Sequence, residues 1–236
     1  FSFSSKDSLF LHSNQLYQSE KFHEALDNYL VMLDSLGANY TLFYNLGNCY
    51  FKLGKIGYSR AYYELAKLHA PKDKDVNYNL EIVNSKLIDQ VQPLPDLFVT
   101  RLIRLVSSQF SFSGWSILIL ICLYVSIFLI SLILLSNSLD VKRKSFKSLL
   151  VSISFLFFSI CFFVYGFFDS KKVYGILVSS NTYVKTAPAE SSENQFIIHE
   201  GIKFEIIDNI DNWTRIMLLD GNDGWIENHN FLKVHK

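Results

Sequence analysis

The chain lacks most of what a disulfide-held or catalytic protein needs. It has three cysteines: Cys49 in the first hundred residues, Cys122 and Cys161 inside long apolar runs. Thiols so far apart form neither a disulfide framework nor a metal-ligand spacing, so they read as core or lipid-facing groups. Glycine-rich phosphate loops, HExxH, GxSxG and paired CxxC are all missing. The six histidines (12, 23, 69, 199, 229 and 235) are dispersed. Asp208, Asp211, Asp220 and Asp223 do not follow the order of a calcium loop and read as solvated turns. With no nucleophile, base or ligand set, the chain is expected not to be an enzyme and to hold no metal and no cofactor. A surplus of positive charge is also missing, since 22 basic residues balance 22 acidic ones. Nucleic-acid binding normally needs a basic face, so no such partner is expected.

What is present in excess is apolar surface. Half of the residues are hydrophobic, with 21 Phe and 13 Tyr among them, and the excess is concentrated. Trp115 to Leu135 and Leu149 to Phe168 carry no charge. Each is about 20 residues long, enough at roughly 1.5 Å per residue to cross a hydrocarbon core about 30 Å thick. Residues 115–135 and 149–168 are therefore read as transmembrane helices. Charge is distributed around them. Residues 1–98 carry 9 basic and 11 acidic groups, residues 99–172 carry 8 and 2, and residues 173–236 carry 5 and 9.

Residues 5–91 repeat with an offset of 34, the period of a tetratricopeptide helical hairpin. Asn39 to Asp73 holds the fullest copy, with Phe43, Leu46, Gly47, Tyr50, Gly54, Ile56, Ser59, Tyr63, Ala66 and Pro71 at the expected places. An offset back finds Leu9, Leu16, Phe22, Ala25 and Tyr29. An offset forward finds Tyr78-Asn79-Leu80, opening a closing helix near Asp75–Gln90. Such a stack presents a concave face made by its first helices. Phe10, Tyr44 and Tyr78 share one position in three successive units, with Asn14 and Asn48 one turn further on. An aromatic row with amides beside it suits a protein segment; packing against the next helix is the plainer alternative. The cations of a carboxylate clamp are absent, because Phe10, Asp75 and Asn79 stand in their places.

Gln92-Pro93-Leu94-Pro95-Asp96 ends the array, since two prolines in four residues stop a helix, and Asp96 can cap the next one. Residues 92–114 then form a linker in which Leu97 to Phe110 fits an interfacial helix or an extension of the repeat stack. Residues 136–148 form a loop whose Lys142, Arg143, Lys144 and Lys147 keep it cytoplasmic. Both chain ends then face outward. Phe1 to Ser4, with Ser2 and Ser4 in a small-x-small pattern, reads as the remnant of a signal peptide, which agrees with that orientation. Neither span carries a buried ionisable side chain to mark a transport or proton path and no small-xxx-small face stands out, so they read as anchors in the bilayer.

Residues 173–236 change to short strand-like pieces: Tyr174–Val178, Thr182–Lys185, Phe204–Ile207, Thr214–Leu218, Gly224–Glu227 and Phe231–Val234. Asn181-x-Tyr-Val-Lys185, Pro188, Gly201, Trp213-x-Arg215, Asp220-Gly221 and Gly224-Trp225-Ile226 resemble the pattern of bacterial SH3 domains. Lys185 stands where that pattern has Arg, and Tyr183 is inserted in its N-V-R element. The resemblance implies a small all-β barrel with Trp225 in its core and Asp220-Gly221 at a hairpin turn. Tyr183 and Trp213 are candidates for an exposed aromatic patch that binds protein or peptidoglycan.

The order of parts resembles the BatE family, the tetratricopeptide members of the Bacteroides aerotolerance group: the repeats, Leu87-Ile88-Asp89, Pro93-Leu94-Pro95, Gly114-Trp115 opening a span, the basic hairpin and the SH3-like end. That resemblance implies a multi-pass protein of the bacterial cytoplasmic membrane, with the repeat and SH3-like domains in the periplasm. It also implies von Willebrand A-domain proteins and a MoxR-type ATPase as partners, and a role in aerotolerance or envelope stress. The expected fold is thus a multi-domain membrane protein: tetratricopeptide helices, two transmembrane helices and an SH3-like barrel. Its expected function is that of an adaptor; the alternative is an envelope sensor that binds wall peptides.

Overall fold

The computed structural model describes residues 3–91 and 98–235, the side chains of 3–7 and 112 excepted. The cleavage reading of residues 1–2 and the proline break and cap at 92–97 lie outside the described residues. Phe3 and Ser4 belong to the first helix. The chain forms two compact units, one made of residues 1–94 with 173–236 and the other of residues 95–172.

In the first unit, α1 (Phe3–Gln18) pairs with α2 (Phe22–Leu36), α3 (Tyr40–Lys52) with α4 (Ile56–His69), and α5 (Lys74–Ser85) closes the row. Local chemistry sets the starts. The Asn39 side chain accepts from the Leu42 N–H at 2.9 Å, and Asp73 accepts from the Asp75 and Val76 N–H groups at 3.0 Å each. These caps satisfy donors that the first helical turn leaves unpaired. Apolar residues at helical spacing then bury one continuous core that includes Ala25, Tyr29, Leu42, Leu46, Cys49, Tyr63, Ala66, Val76 and Val83. Gly47 is needed for that packing, because a Cβ there would lie 2.6 Å from the Tyr63 ring.

The β part has seven strands: β1 (Val173–Leu177), β2 (Asn181–Lys185), β3 (Asn194–His199), β4 (Lys203–Ile210), β5 (Trp213–Leu218), β6 (Asp223–Glu227) and β7 (Phe231–Val234). They make one antiparallel sheet in the order β3-β2-β6-β5-β4-β1-β7. β3 is absent from the strand pieces expected from the sequence. Every strand contributes to a single core: Leu177, Val184, Ile198, Phe204, Ile216, Ile226 and Phe231. A seven-stranded sheet can place all of these in one core only by curling around it. Asp220-Gly221 makes the β5–β6 turn as expected, with Gly221 at φ 88° and its N–H donating to the Leu218 carbonyl at 3.0 Å. Trp225 is a correction. Strand alternation turns Gly224 and Ile226 inward, and a Cβ at 224 would meet Val184. The indole therefore takes the outer side and Ile226 fills the core.

The second unit contains α6 (Phe98–Ser107), α7 (Phe112–Leu135) and α8 (Leu139–Ser170). Both α7 and α8 are long and apolar enough to cross a membrane. The expected loop at 136–148 is shorter than its sequence suggested. Only residues 136–138 connect the helices, and the basic segment forms the first turns of α8. Leu139 to Ser148 has no Gly or Pro and is rich in Lys and Arg, good helix formers, with Asp140 in the favourable first turn.

Candidate partner-binding surfaces

The 34-residue repeat reappears as repeated chemistry. The Tyr29 hydroxyl donates to Asn14 Oδ1 at 2.6 Å, and the Tyr63 hydroxyl donates to Asn48 Oδ1 at 2.6 Å. Each first-helix Asn thus holds the Tyr of its own second helix. Asn79 Nδ2 joins the second copy, reaching the Tyr44 hydroxyl at 3.2 Å and Asn48 Oδ1 at 3.3 Å. Phe10 meets Tyr29 edge-on at 6.1 Å, and Tyr44 meets Tyr63 at 6.0 Å. So Phe10, Asn14, Tyr44 and Asn48 are half-buried parts of the packing between helices. Tyr78 differs: among the described residues no second helix of a third pair covers it, and it is 64% exposed. Of the five residues read as a groove, Tyr78 is the open one.

Burial changes the acidity of this module. The Cys49 thiol is pushed up to about 12 by desolvation, which removes its nucleophilic form near neutrality. Tyr40 is raised to about 12 by desolvation and then by its bond to Asp73. Tyr29, Tyr50 and Tyr63 are also raised by burial.

The sheet is docked on the second-helix side of the array, through α4. Ala61 of α4 is buried with Ile176 of β1 and Val234 of β7, flanked by Leu65, Leu68 and Leu232. Burial of Ile176 and Val234 contributes roughly 1.5–3 kcal/mol each. Gly57 is required at the seam, because a Cβ would run into the Leu177 carbonyl oxygen and lie 3.0 Å from Val178 Cα. Polar contacts ring the apolar patch. The Gly57 N–H donates to Glu200 Oε2 at 3.2 Å, and Arg60 Nη1 donates to the Gly201 carbonyl. Lys203 Nζ pairs with Glu64 Oε2 at 2.9 Å. Asp89 accepts from the His199 N–H at 2.6 Å and contacts His199 Nδ1 at 2.9 Å. Gly201, at φ 85°, sits against Leu87 where a side chain would collide. Sequence reasoning missed this seam entirely, since its partners lie more than 100 residues apart.

A cleft of about 280 Å³ runs along the seam, lined by Arg60, Leu87, Asp89, Ile202, Lys203 and others. Arg60 Nε is buried there without a partner, and burial lowers the Arg60 pKa.

The two residues read as a β-domain patch stand on one face but on separated strands. Val184, Thr214, Ile216, Gly224 and Ile226 point inward. Tyr183, Trp213 and Trp225 therefore share the outer face with Lys185, Arg215 and Glu227. Tyr183 is 53% exposed. Trp213 is half-buried and lines a cleft of about 370 Å³ with Glu190, Asn212, Glu227, Asn228 and His229. Lys185 and Arg215 are both register partners of Trp225, so Trp225 lies midway across this face. Strand alternation was the signal that would have placed it there. Among the described residues no three or more His, Cys, Asp or Glu come together as metal ligands. Asp223 instead receives two bonds from Arg215, at 2.8 and 2.6 Å.

In the second unit Ser126 Oγ and Ser152 Oγ lie 2.9 Å apart, and Ser152 also donates to the Cys122 carbonyl at 3.2 Å. Ser145, Ser152 and Ser159 are the buried positions of α8. Their seven-residue spacing marks a helix-packing face that a search for four-residue spacing overlooks.

Compared with models of known protein families and with curated protein sequences, the chain matches none.

Proposed function

We propose that the chain is a membrane-anchored, non-catalytic adaptor. In this reading a tetratricopeptide-type module and an SH3-like domain act as one binding body, held to the bilayer by the α7–α8 hairpin. The observation that carries it is the seam on α4. It joins segments that precede and follow the two long apolar helices, and two crossings of a bilayer return a chain to the side it left. The basic first turns of α8 favour the cytoplasm for the connection, leaving the joined modules on the periplasmic side of a bacterial inner membrane. Docking through α4 leaves Tyr78 open to a protein segment. Two contacts on one rigid body raise apparent affinity through effective concentration. Following the BatE resemblance, the partners are von Willebrand A-domain proteins and a MoxR-type ATPase system, in aerotolerance or envelope stress.

Crosslinking and affinity capture from membranes tests this. Tyr78→Ala is the clean probe, because Tyr44→Ala would also remove a support of Asn79. Loss of a specific partner with Tyr78→Ala, with thermal stability retained, is the expected result. Unchanged recovery in the Tyr78→Ala and in a Tyr44→Ala, Tyr78→Ala chain rejects the groove. Reporter fusions at Lys147 and Lys236 test orientation, with export expected only for the second.

The outer aromatic face of the β domain favours a second reading, an envelope sensor that binds wall peptides through Tyr183, Trp225 and Trp213. Cosedimentation of the full-length chain with purified peptidoglycan separates the two, since the adaptor reading expects none. The β domain alone is unsuitable there, because isolation would expose Ile176 and Val234.

A further inference from the structure

Helix α6 divides its residues cleanly. Phe98, Val99, Leu102, Ile103, Leu105 and Val106 fall on one side, while Thr100, Arg101, Arg104 and Ser107 fall on the other. At about 100° per residue, Phe98, Leu102 and Leu105 lie within about 60° of one another. The helix rests against α8, and Ile103 and Val106 are half-buried. Even so, Phe98, Leu102 and Leu105 remain 79%, 50% and 55% exposed. No residue of α6 is buried. So large an uncovered apolar stripe on so short a helix needs an occupant.

Its position says which. The Trp115 indole N–H donates to the Ser107 carbonyl at 3.0 Å, binding the end of α6 to the start of α7. Phe110 packs edge-on against Trp115 at 5.2 Å, and Trp115 lies 5.3 Å from Phe162 of α8. The α6 helix is thereby held where α7 begins and α8 ends. A crevice of about 270 Å³ opens there, lined by Arg104, Ser107, Phe110, Trp115, Phe163 and Asp169. An aromatic cluster with arginines beside an apolar stripe is the chemistry of the headgroup boundary.

Resting on the reading of α7 and α8 as spans, we infer that α6 lies in the membrane interface as a lipid-binding helix. Phe98, Leu102 and Leu105 enter the acyl boundary of the outer leaflet, and Arg101 and Arg104 hold anionic phospholipid headgroups. The occupant is the bilayer itself rather than a protein. Each arginine near an anionic surface strengthens the association by about fivefold.

The test uses the full-length chain with Cys161→Ser, in which Cys49 and Cys122 remain buried. Single cysteines replace Leu102, Leu105, Ser108 on the polar side, and Leu120 on α7. Each carries a polarity-sensitive fluorophore in nanodiscs of phosphatidylcholine with about a third phosphatidylglycerol. Lipids spin-labelled near the headgroups should quench positions 102 and 105 severalfold more than 108. Arg101→Glu with Arg104→Glu should weaken that quenching in the anionic discs and leave it unchanged in pure phosphatidylcholine; equal quenching in both overturns the anionic preference. Positions 102 and 105 as water-accessible as 108, or shielded from both water and lipid, overturn the interfacial helix. If position 120 is quenched in such a case, the spans stand and only the α6 inference falls. If position 120 is unquenched too, the spanning reading falls with it.

Discussion

The α3–α4 pair and the α7–α8 pair are both antiparallel helix pairs, and each is closed by a serine that reaches a carbonyl across the contact. Ser59 Oγ donates to the Gly47 carbonyl at 2.9 Å, and Ser152 Oγ donates to the Cys122 carbonyl at 3.2 Å. What surrounds the two serines differs. Around Ser59 the large side chains point inward, so Leu46, Cys49, Tyr63 and Ala66 are buried at 2% exposure or less. Around Ser152 the large side chains point outward, with Val151, Phe155 and Phe158 each more than half exposed, and small residues hold the contact. Water drives the first pair together by expelling apolar surface. On the proposed reading of α7 and α8 as spans, lipid gives no such drive, and the second pair depends on close approach and hydrogen bonding. One motif thus serves two helix pairs with inverted packing.

The sharpest way to break that comparison is a methyl group at a glycine of each pair. At Gly47 a Cβ would lie 2.6 and 2.7 Å from Cδ1 and Cε1 of Tyr63. That ring is 2% exposed and tied to Asn48, so it cannot swing aside. At Gly166 of α8 a Cβ meets nothing within 4 Å. Gly47→Ala should cost about 2 kcal/mol through overpacking, read as a lower melting temperature of the first unit by circular dichroism. Gly166→Ala should leave stability unchanged or slightly raised through helix propensity. Equal effects would reject the inverted-packing account.

Alkaline pH acts next, on the first unit. Burial and the bond to Asp73 push Tyr40 up to about 12 from the ordinary 10, and Tyr29, Tyr50 and Tyr63 are shifted the same way by burial. A raised pKa means that the folded state keeps protons the unfolded state has released. The stability so contributed is complete below the unfolded value of 10 and is lost as pH rises from 10 towards 12. Tyrosinate absorbance should appear together with loss of helical ellipticity. Gradual tyrosinate formation with the helices intact would show that the hydroxyls are not enclosed.

The paired tyrosines test the repeat itself. Tyr29→Phe and Tyr63→Phe each remove the tyrosine hydroxyl that donates to an Asn side chain, which should cost about 1–2 kcal/mol. The Tyr63 change should be the milder, because Asn79 still donates to Asn48. Denaturant midpoints of the two variants measure this, and a Tyr63 loss exceeding the Tyr29 loss would overturn it.

The features that were legible in the sequence are those written in local spacing. The offset of 34 placed Gly47, Tyr63 and Ala66 because each occupies a fixed place in a repeat, and uncharged length revealed α7 and α8. Strand β3 escaped because Asn194-Gln195-Phe196-Ile197-Ile198-His199 clusters its apolar residues instead of alternating them. Trp225 is expected in the core by the SH3-like resemblance, whereas strand parity turns Gly224 and Ile226 inward and the indole outward. The basic start of α8 lies between two uncharged apolar runs and so is expected as a loop, although nothing in it breaks a helix. For the candidate site, the spacing gave the row Phe10, Tyr44 and Tyr78, but not which member stays open. That depends on whether another helix comes after it. The seam was illegible for a different reason: Gly57, Arg60 and Ala61 look like ordinary helix residues until Gly201, Ile176 and Val234 are brought to them.

The smallest predicted effect returns to the two serines. Ser59→Ala removes a buried hydroxyl and leaves the Gly47 carbonyl without that donor, costing about 1 kcal/mol. In the α7–α8 pair Ser152→Ala removes a bond to Cys122 and the contact with Ser126, yet its cost should be nearer 0.6 kcal/mol, about the average for bonds between helices in a bilayer. On the proposed spanning of α7 and α8 the reason lies in the reference state, since separated helices in lipid would still find partners for Ser126 and the Cys122 carbonyl. The Ser126 hydroxyl already donates back to the Cys122 carbonyl at 2.8 Å within its own helix. The first variant is read by chemical denaturation and the second by unfolding in mixed detergent micelles. A Ser152→Ala loss larger than that of Ser59→Ala would mean that hydrogen bonding, rather than close approach, holds α7 to α8. In that case Ser145→Leu and Ser159→Leu, which block approach without touching the Ser126–Ser152 bond, should be tolerated.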